Sequence, residues 1–376
     1  MTFLNKYKDV LLILISIILY FLFAYNLERT SFYKLSILWF ALFGCFYLLI
    51  KNNTISFKNL VGISIVFRLI FLFAIPNLSQ DFYRFIWDGR MILEGLNPYL
   101  SLPETFIQQS NYPITEAKEL YSGMGEMNGS HYTNYPPLNQ LCFLIAALFS
   151  SKSIFGSVIV LRLIIILADI GILYFGKKLL DRLHLPVKNI FWYILNPFII
   201  IEMTGNLHFE PVMLFFLIAG IYKLHQQKWI LAAFLIACSV SVKLIPLLFL
   251  PLFFQWFVKI PFVIANEMKQ SKTEKEIPAF AGMTKLIAFY IIITGTTIVL
   301  FLPFYSSELI ANYSNSVGLW FRNFEFNASF YYIFREIGYL FRGYNEIAII
   351  GKITPILTIL VLIILTFFRK NKTEVQ

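Results

Sequence analysis

The 376 residues are 58% hydrophobic and 14% charged, too few charges to cover a soluble globule of this length. The composition excludes a water-soluble enzyme and reads as an all-α polytopic membrane protein. The net charge of +10 falls mainly in short loops between apolar runs, so it marks membrane topology rather than a nucleic-acid partner.

The first run, Val10 to Tyr25, follows Lys6 and Lys8 but has no small-residue cleavage site after it, so it reads as a retained span rather than a signal peptide. A crossing helix needs about 20 mostly apolar residues. Ten segments come near this: 9–25, 35–50, 59–76, 157–176, 189–204, 207–222, 229–243, 244–257, 286–303 and 346–368. One basic side collects Lys6, Lys8, Lys51, Lys58, Lys177, Lys178, Arg182, Lys188, Lys223, Lys228, the 258–285 loop and the tail Arg369, Lys370 and Lys372. This side is assigned to the cytoplasm. The other side holds two long loops, 77–136 and 304–345, which carry most of the acids. Segment 137–150 is apolar but short, and a full crossing there would move the basic 177–188 loop outside. It is therefore read as partial or re-entrant, with both termini cytoplasmic and the whole of 1–376 forming one integral-membrane domain. Cys45, Cys142 and Cys238 all lie in apolar runs without close pairing and read as free, buried thiols.

The 77–136 loop is about 60 residues long, far above ordinary connections, which suggests function. It opens with SQDFYRFIWDGRMILEGLNPY, Ser79 to Tyr99. Phe82, Phe85, Ile86, Ile92 and Leu93 follow a helical period that fits a helix lying in the membrane interface, ended by Gly95 and Pro98. Asp81 shares a stripe with Arg84 and Asp88. It reads as part of a charge ladder around Arg84, as a first-turn acid favoured by the helix dipole, or as a general base within reach of an acceptor hydroxyl.

Four cations lie in or beside spans: Arg162, Lys243, His208 and, in the second long loop, Arg322. Lys243 interrupts SVSVKLIPLLFLP, and reads either as a snorkelling lysine or as the fixed positive group that a leaving phosphate requires. In NPFIIIEMTGNLHFEP, Asn196 to Pro211, the residues Glu202, Asn206, His208 and Glu210 bracket a boundary between two spans. Asn206 reads as a capping residue of a polar turn. His208 and Glu210 lack metalloprotease spacing, and the chain has no DxD, so no metal is expected. HYTNYPPLNQ, His131 to Gln140, and the aromatic-rich 315–335 stretch read as interfacial belts or as surfaces that stack on a sugar or border a lipid groove. The cytoplasmic stretch VIANEMKQSKTEKEIPAFAGMT, Val263 to Thr284, is polar and lacks a helical period. It resembles peptides encoded by mobile palindromic repeats inserted in bacterial reading frames, and is expected to be dispensable.

No GxGxxG, Walker or GxSxG motif occurs, and no soluble domain is left to hold a nucleotide, which disfavours a nucleotide-sugar enzyme; no cofactor is expected. QDFYRFIWDGRMILEGLNPY, YPPL (Tyr135 to Leu138), RLIIILAD (Arg162 to Asp169), LNPFIIIEMTGNLHFEP and VKLIPLLFLP, in this order, resemble the GT-C superfamily of integral-membrane glycosyltransferases. The similarity is to bacterial polyprenol-phosphate-mannose-dependent mannosyltransferases. It implies a GT-C-like bundle of about ten membrane helices, a polyprenyl-phosphate sugar donor, a lipid or glycan acceptor, surrounding membrane lipids, and an active site at the outer face of the cytoplasmic membrane. On this resemblance Asp81 matches the family's base. Lys243, His208, Arg322 and Arg162 are the candidates for donor phosphate or lipid. Asp88, Arg90, Tyr99, Tyr135, Glu202, Asn206 and Glu210 are the substrate-binding candidates. A transporter or flippase for a lipid-linked saccharide is the rival reading, although the two halves show no internal repeat. A lipid-carrier ligase would share the cations but not depend on an Asp81 base.

Overall fold

The structure is a computed structural model that describes residues 3–52, 54–259, 279–322, 325 and 329–368. Its regular elements are all helical among the described residues. Helices α1 (Phe3–Asn26) and α2 (Phe32–Asn52) form an antiparallel pair. Helix α3 (Phe57–Ile70) starts where the Ser56 hydroxyl accepts from the Asn59 amide at 3.2 Å. It stops after 14 residues instead of running to 76. The chain turns over Phe71 to Phe73 toward Pro76, and the Leu72 carbonyl accepts from Arg162 instead of continuing a helix. Asn77 then donates to the carbonyls of Phe23 and Leu27 at 2.8 and 3.1 Å, tying the start of the first long connection to the end of α1.

That connection contains α4 (Asp81–Leu93), α5 (Pro103–Gln108) and α6 (Ala117–Gly129). It leads into α7 (Pro137–Phe149). The apolar period of α4 suggests one covered face, but α4 is wedged between α6 and α7 with every residue from 84 to 91 buried. Its charges therefore find partners inside the protein rather than in a headgroup layer. Phe85 stacks on Phe143 of α7 at 4.6 Å. At Gly89 an added Cβ would lie 2.2 Å from the Phe143 carbonyl oxygen, so glycine permits this close crossing. Gly95, at φ 75°, ends α4 with Leu96 donating back to the Met91 carbonyl at 2.8 Å, the stop that GLNPY predicts. The 13 residues of α7 rise only about 20 Å, short of a roughly 30 Å hydrocarbon core.

The 29-residue α8 (Ile154–Arg182) is the longest helix described. At its far end Lys177 lies over the Phe57 ring, 4.9 Å from the centroid, and Lys188 donates to the Ile55 carbonyl at 3.0 Å. Basic residues thus gather at the end of α8 remote from α4. Beyond α8, a 3-10 turn (Val187–Ile190) and the short α9 (Phe191–Ile194) precede Asn196 and Pro197. A π-helical turn, Ile199–Gly205, then meets α10 (Glu210–His225) at a bend of 110°. Leu207 at φ 62° and Pro211 in the first turn of α10 enforce the break.

Helix α11 (Trp229–Val242) ends at the extended Lys243. Pro246 and Pro251 divert the following apolar run into 3-10 turns (Ile245–Leu252) and a π turn (Gln255–Lys259). Helices α12 (Ala279–Phe301), α13 (Leu309–Arg322), α14 (Ser329–Arg342) and α15 (Ile347–Phe368) complete the chain.

Five described helices are long and apolar enough to cross a membrane alone, or six if the bent pair counts as one. Of the ten expected segments, 59–76, 189–204, 229–243 and 244–257 are not single long helices but fold as short, broken or 3-10 and π segments. Most of the insert-like loop lies outside the described residues. Its last part does not, since Ala279 onward already forms α12, and Gly282 packs where a Cβ would come within 2.3 Å of the Phe257 carbonyl oxygen.

Candidate active site

The ends of α4, α6, α7, α10 and α11 surround a cavity of about 790 Å³, in the size range of small-ligand sites. Six of the candidate site residues read from the sequence line it: Asp81, Tyr135, Glu202, His208, Glu210 and Lys243. They come from four separate segments, which explains why no compact motif announces the site.

Asp81 opens α4, where its backbone N–H donates to the Ser79 hydroxyl at 3.3 Å. Its Oδ1 accepts one long bond, 3.3 Å, from the Asn128 amide. The charge ladder forms, but without it. Arg84 Nε donates to Asp88 Oδ1 at 2.8 Å, and Arg84 Nη1 donates to the carbonyls of Asn128 and His131 at 2.6 and 2.8 Å. Asp88 is 0% exposed, and its second oxygen accepts from Gln140 at 3.0 Å. Among the described residues Asp81 and Glu202 are therefore the acids lining the cavity that have no ion pair.

Lys243 pairs with Glu210, joining the end of α11 to the start of α10. Both lie at the surface of the cavity, with side-chain exposures of 29% and 26%. Phe209, just before Glu210, meets Phe85 and Phe143 edge-on at 5.6 and 5.4 Å. Tyr135 packs edge-on against Phe85 at 4.9 Å. Burial, reinforced by the charges of Asp81 and Asp88, pushes the Tyr135 phenol well above the ordinary tyrosine range.

Other expected site residues do not line the cavity. Arg162 is fully buried and donates to the carbonyls of Thr204, Leu72 and Gly205 at 2.9, 3.0 and 2.9 Å. It holds together the two breaks, after α3 and after the π turn, on which the cavity rests. Asn206 accepts from the Leu78 amide at 3.0 Å and donates to Glu202 Oε2 at 3.4 Å, linking the approach to Asp81 with Glu202. Arg90 donates to the Thr115 carbonyl at 2.6 Å and to Glu116 at 2.9 Å, fixing the segment between α5 and α6. Tyr99 is buried against Phe304 and Tyr313 at 5.2 and 5.8 Å and donates to the Tyr135 carbonyl at 2.6 Å. The side chain of Arg322, the last residue of α13, lies outside the described residues.

The lining also includes Arg29, Trp39, Asn128, His131, Asn139 and Phe198, none of which the sequence reading chose as site residues. HYTNYPPLNQ stands out in sequence by its aromatics and prolines, whereas its polar signal is His131 and Asn139 flanking them. Arg29 lies in the tight α1–α2 turn and had no motif around it. Among the described residues no group of three or more His, Cys, Asp or Glu side chains is placed to hold a metal ion. A second, mostly apolar cavity of about 430 Å³ lies beside α7, between Leu96 just after α4, Leu300 near the end of α12 and Phe304 in the 3-10 turn that follows it.

Residues 21–259 match the model of a family described as alpha-(1->6)-mannopyranosyltransferase, N-terminal domain. An alpha-(1->6)-mannopyranosyltransferase A from Corynebacterium glutamicum is 26% identical over 217 residues, covering 56% of this chain and 41% of that relative. The protein of the same name from Mycobacterium tuberculosis is 21% identical over 173 residues, 46% of this chain and 32% of the relative. The matched region thus spans less than half the length of either curated relative. No solved structure matches. Every residue that lines the main cavity falls within 21–259, and this chain belongs to the alpha-(1->6)-mannopyranosyltransferase N-terminal-domain family.

Proposed function

We propose that this protein transfers a hexosyl group, by analogy with its relatives a mannosyl group, from a polyprenyl-phosphate donor to a lipid or glycan acceptor. The observation that carries the reading is Asp81, which faces a ligand-sized cavity without a cationic partner among the described residues while neighbouring Asp88 is locked to Arg84. In the proposed step the acceptor hydroxyl gives its proton to Asp81, and its oxygen bonds to the anomeric carbon. The bond from that carbon to the phosphate oxygen breaks with inversion, and polyprenyl phosphate leaves with the electron pair. Lys243 supplies positive charge where the leaving phosphate would develop negative charge, and His208 lines the same cavity as a hydrogen-bonding partner for it. The apolar cavity beside α7 offers the donor's chain a place next to the reaction cavity. Basic residues gather at the opposite end of α8, which favours a site at the extracytoplasmic face of the cytoplasmic membrane.

The test is reconstitution of the full chain in liposomes with radiolabelled polyprenyl-phosphate mannose and a panel of lipid and glycan acceptors. Label moving to an acceptor, with stoichiometric release of polyprenyl phosphate, supports transfer. Movement of intact labelled lipid across the bilayer without transfer would instead identify a flippase.

A further inference from the structure

Resting on this reading, we start from the buried, unpaired polar atoms carried by residues that line the cavity. Asn139, in the first turn of α7, is 0% exposed and lines the cavity. Neither its Oδ1 nor its Nδ2 has a hydrogen-bond partner, a condition that no other buried side chain among the described residues shares at both ends. Two further residues that line the cavity each carry one buried, unpaired atom: Arg84 Nη2, left over after its guanidinium binds Asp88 and two carbonyls, and Glu210 Oε2, left over after Lys243 binds the carboxylate. A buried amide with both ends unmatched is costly. Replacing it by leucine would remove that cost, so a buried, unmatched amide on a residue that lines the cavity points to a partner that arrives with the ligand.

The chemistry of the three groups narrows that partner. A phosphate can only accept, so it would satisfy Arg84 Nη2 and leave the Asn139 oxygen and Glu210 Oε2 unmatched. An apolar chain would satisfy none of them. A pyranose bearing adjacent hydroxyls can donate to Asn139 Oδ1, accept from Nδ2, donate to Glu210 and accept from Arg84. We infer that Asn139 reads a pair of neighbouring ring hydroxyls on the glycan handled in this cavity and is a specificity-determining residue. Arg84 and Glu210 complete the polar wall. Because sites built to bind a hydroxyl strongly reject the analogue that lacks it, the choice between sugars resides in this wall rather than in Asp81.

The experiment compares purified wild type with Asn139→Leu. Thermal unfolding of the two without substrate comes first. The substitution is expected to hold or raise the midpoint, because an apolar side chain replaces an unpaired amide. A large fall would make Asn139 a structural residue and overturn the proposal. Transfer is then measured with polyprenyl-phosphate mannose, with its monodeoxy forms, and with monodeoxy forms of a mannoside acceptor. Wild type should lose about 10- to 100-fold in kcat/KM for one deoxy compound. Asn139→Leu should show that loss already on the complete sugar and treat the complete and deoxy compounds alike. A donor arm or an acceptor arm showing the effect assigns the sugar. Wild-type discrimination retained in Asn139→Leu against every deoxy compound would refute the inference. If wild type transfers mannose to no acceptor, the functional reading fails, and thermal shift with polyprenyl-phosphate mannose and octyl mannoside decides separately. Stabilisation of wild type that is lost in Asn139→Leu supports the site, and equal or absent stabilisation overturns it.

Discussion

Replacing Arg162 by leucine should damage the architecture of the site rather than its chemistry. The guanidinium makes three hydrogen bonds, all to main-chain carbonyls: Thr204, Gly205 and Leu72. These carbonyls are exposed by the break after α3 and by the end of the π turn, where helical donors no longer reach. A buried acceptor that loses its donor costs about 1–3 kcal/mol. Three such losses, partly offset by no longer burying an arginine charge, suggest a net destabilisation of about 3–5 kcal/mol. Unfolding of the purified variant by heat or denaturing detergent reads this directly. Arg162→Lys should recover only part of it, because one ammonium cannot replace a planar fork aimed at two segments. If Arg162→Leu unfolds like wild type yet fails to bind polyprenyl-phosphate mannose, the reasoning is refuted and Arg162 contacts the donor.

Lys243→Met should lower kcat/KM for transfer about 100-fold by removing positive charge from the leaving phosphate; an unchanged value would reduce Lys243 to a structural partner of Glu210. The raised pKa of Tyr135 keeps its phenol neutral across the neutral range and into mild alkali. Tyr135→Phe should therefore leave the alkaline limb of the rate profile in place, and a shifted limb would show that the phenol ionises in the reaction. Replacing residues 263–278 with a short Gly/Ser linker, while sparing α12, should leave transfer intact, and loss of transfer would give this polar stretch a role.

Local signals in the chain were legible where the cause was local. The GLNPY stop of α4 needs only Gly95 and the residues just before it. The NPFIIIEMTGNLHFEP boundary was also visible, but its 110° bend depends on the left-handed Leu207 and on Arg162 reaching back from α8. Within α4, Asp81, Asp88 and Arg90 are all charged candidates for the site when only the sequence is read. They separate only when Gln140 and Glu116, distant in the chain, take Asp88 and Arg90 and leave Asp81 facing the cavity. The smaller number of long apolar helices among the described residues has a similar origin. Apolar composition survives in the Ile245–Leu252 run, while Pro246 and Pro251 deny it the continuous hydrogen bonding of a full span. Asn139 escaped notice because a single asparagine beside prolines carries no pattern until its burial is seen.

The central claim is that Asp81 takes the acceptor's proton. It is tested most directly by measuring single-turnover transfer and donor binding for wild type, Asp81→Asn and Glu202→Gln in parallel. Loss of about 10²- to 10⁴-fold in rate for Asp81→Asn, with donor binding retained and Glu202→Gln less affected, is the predicted result. Equal transfer by Asp81→Asn and wild type, or a collapse confined to Glu202→Gln, would contradict it.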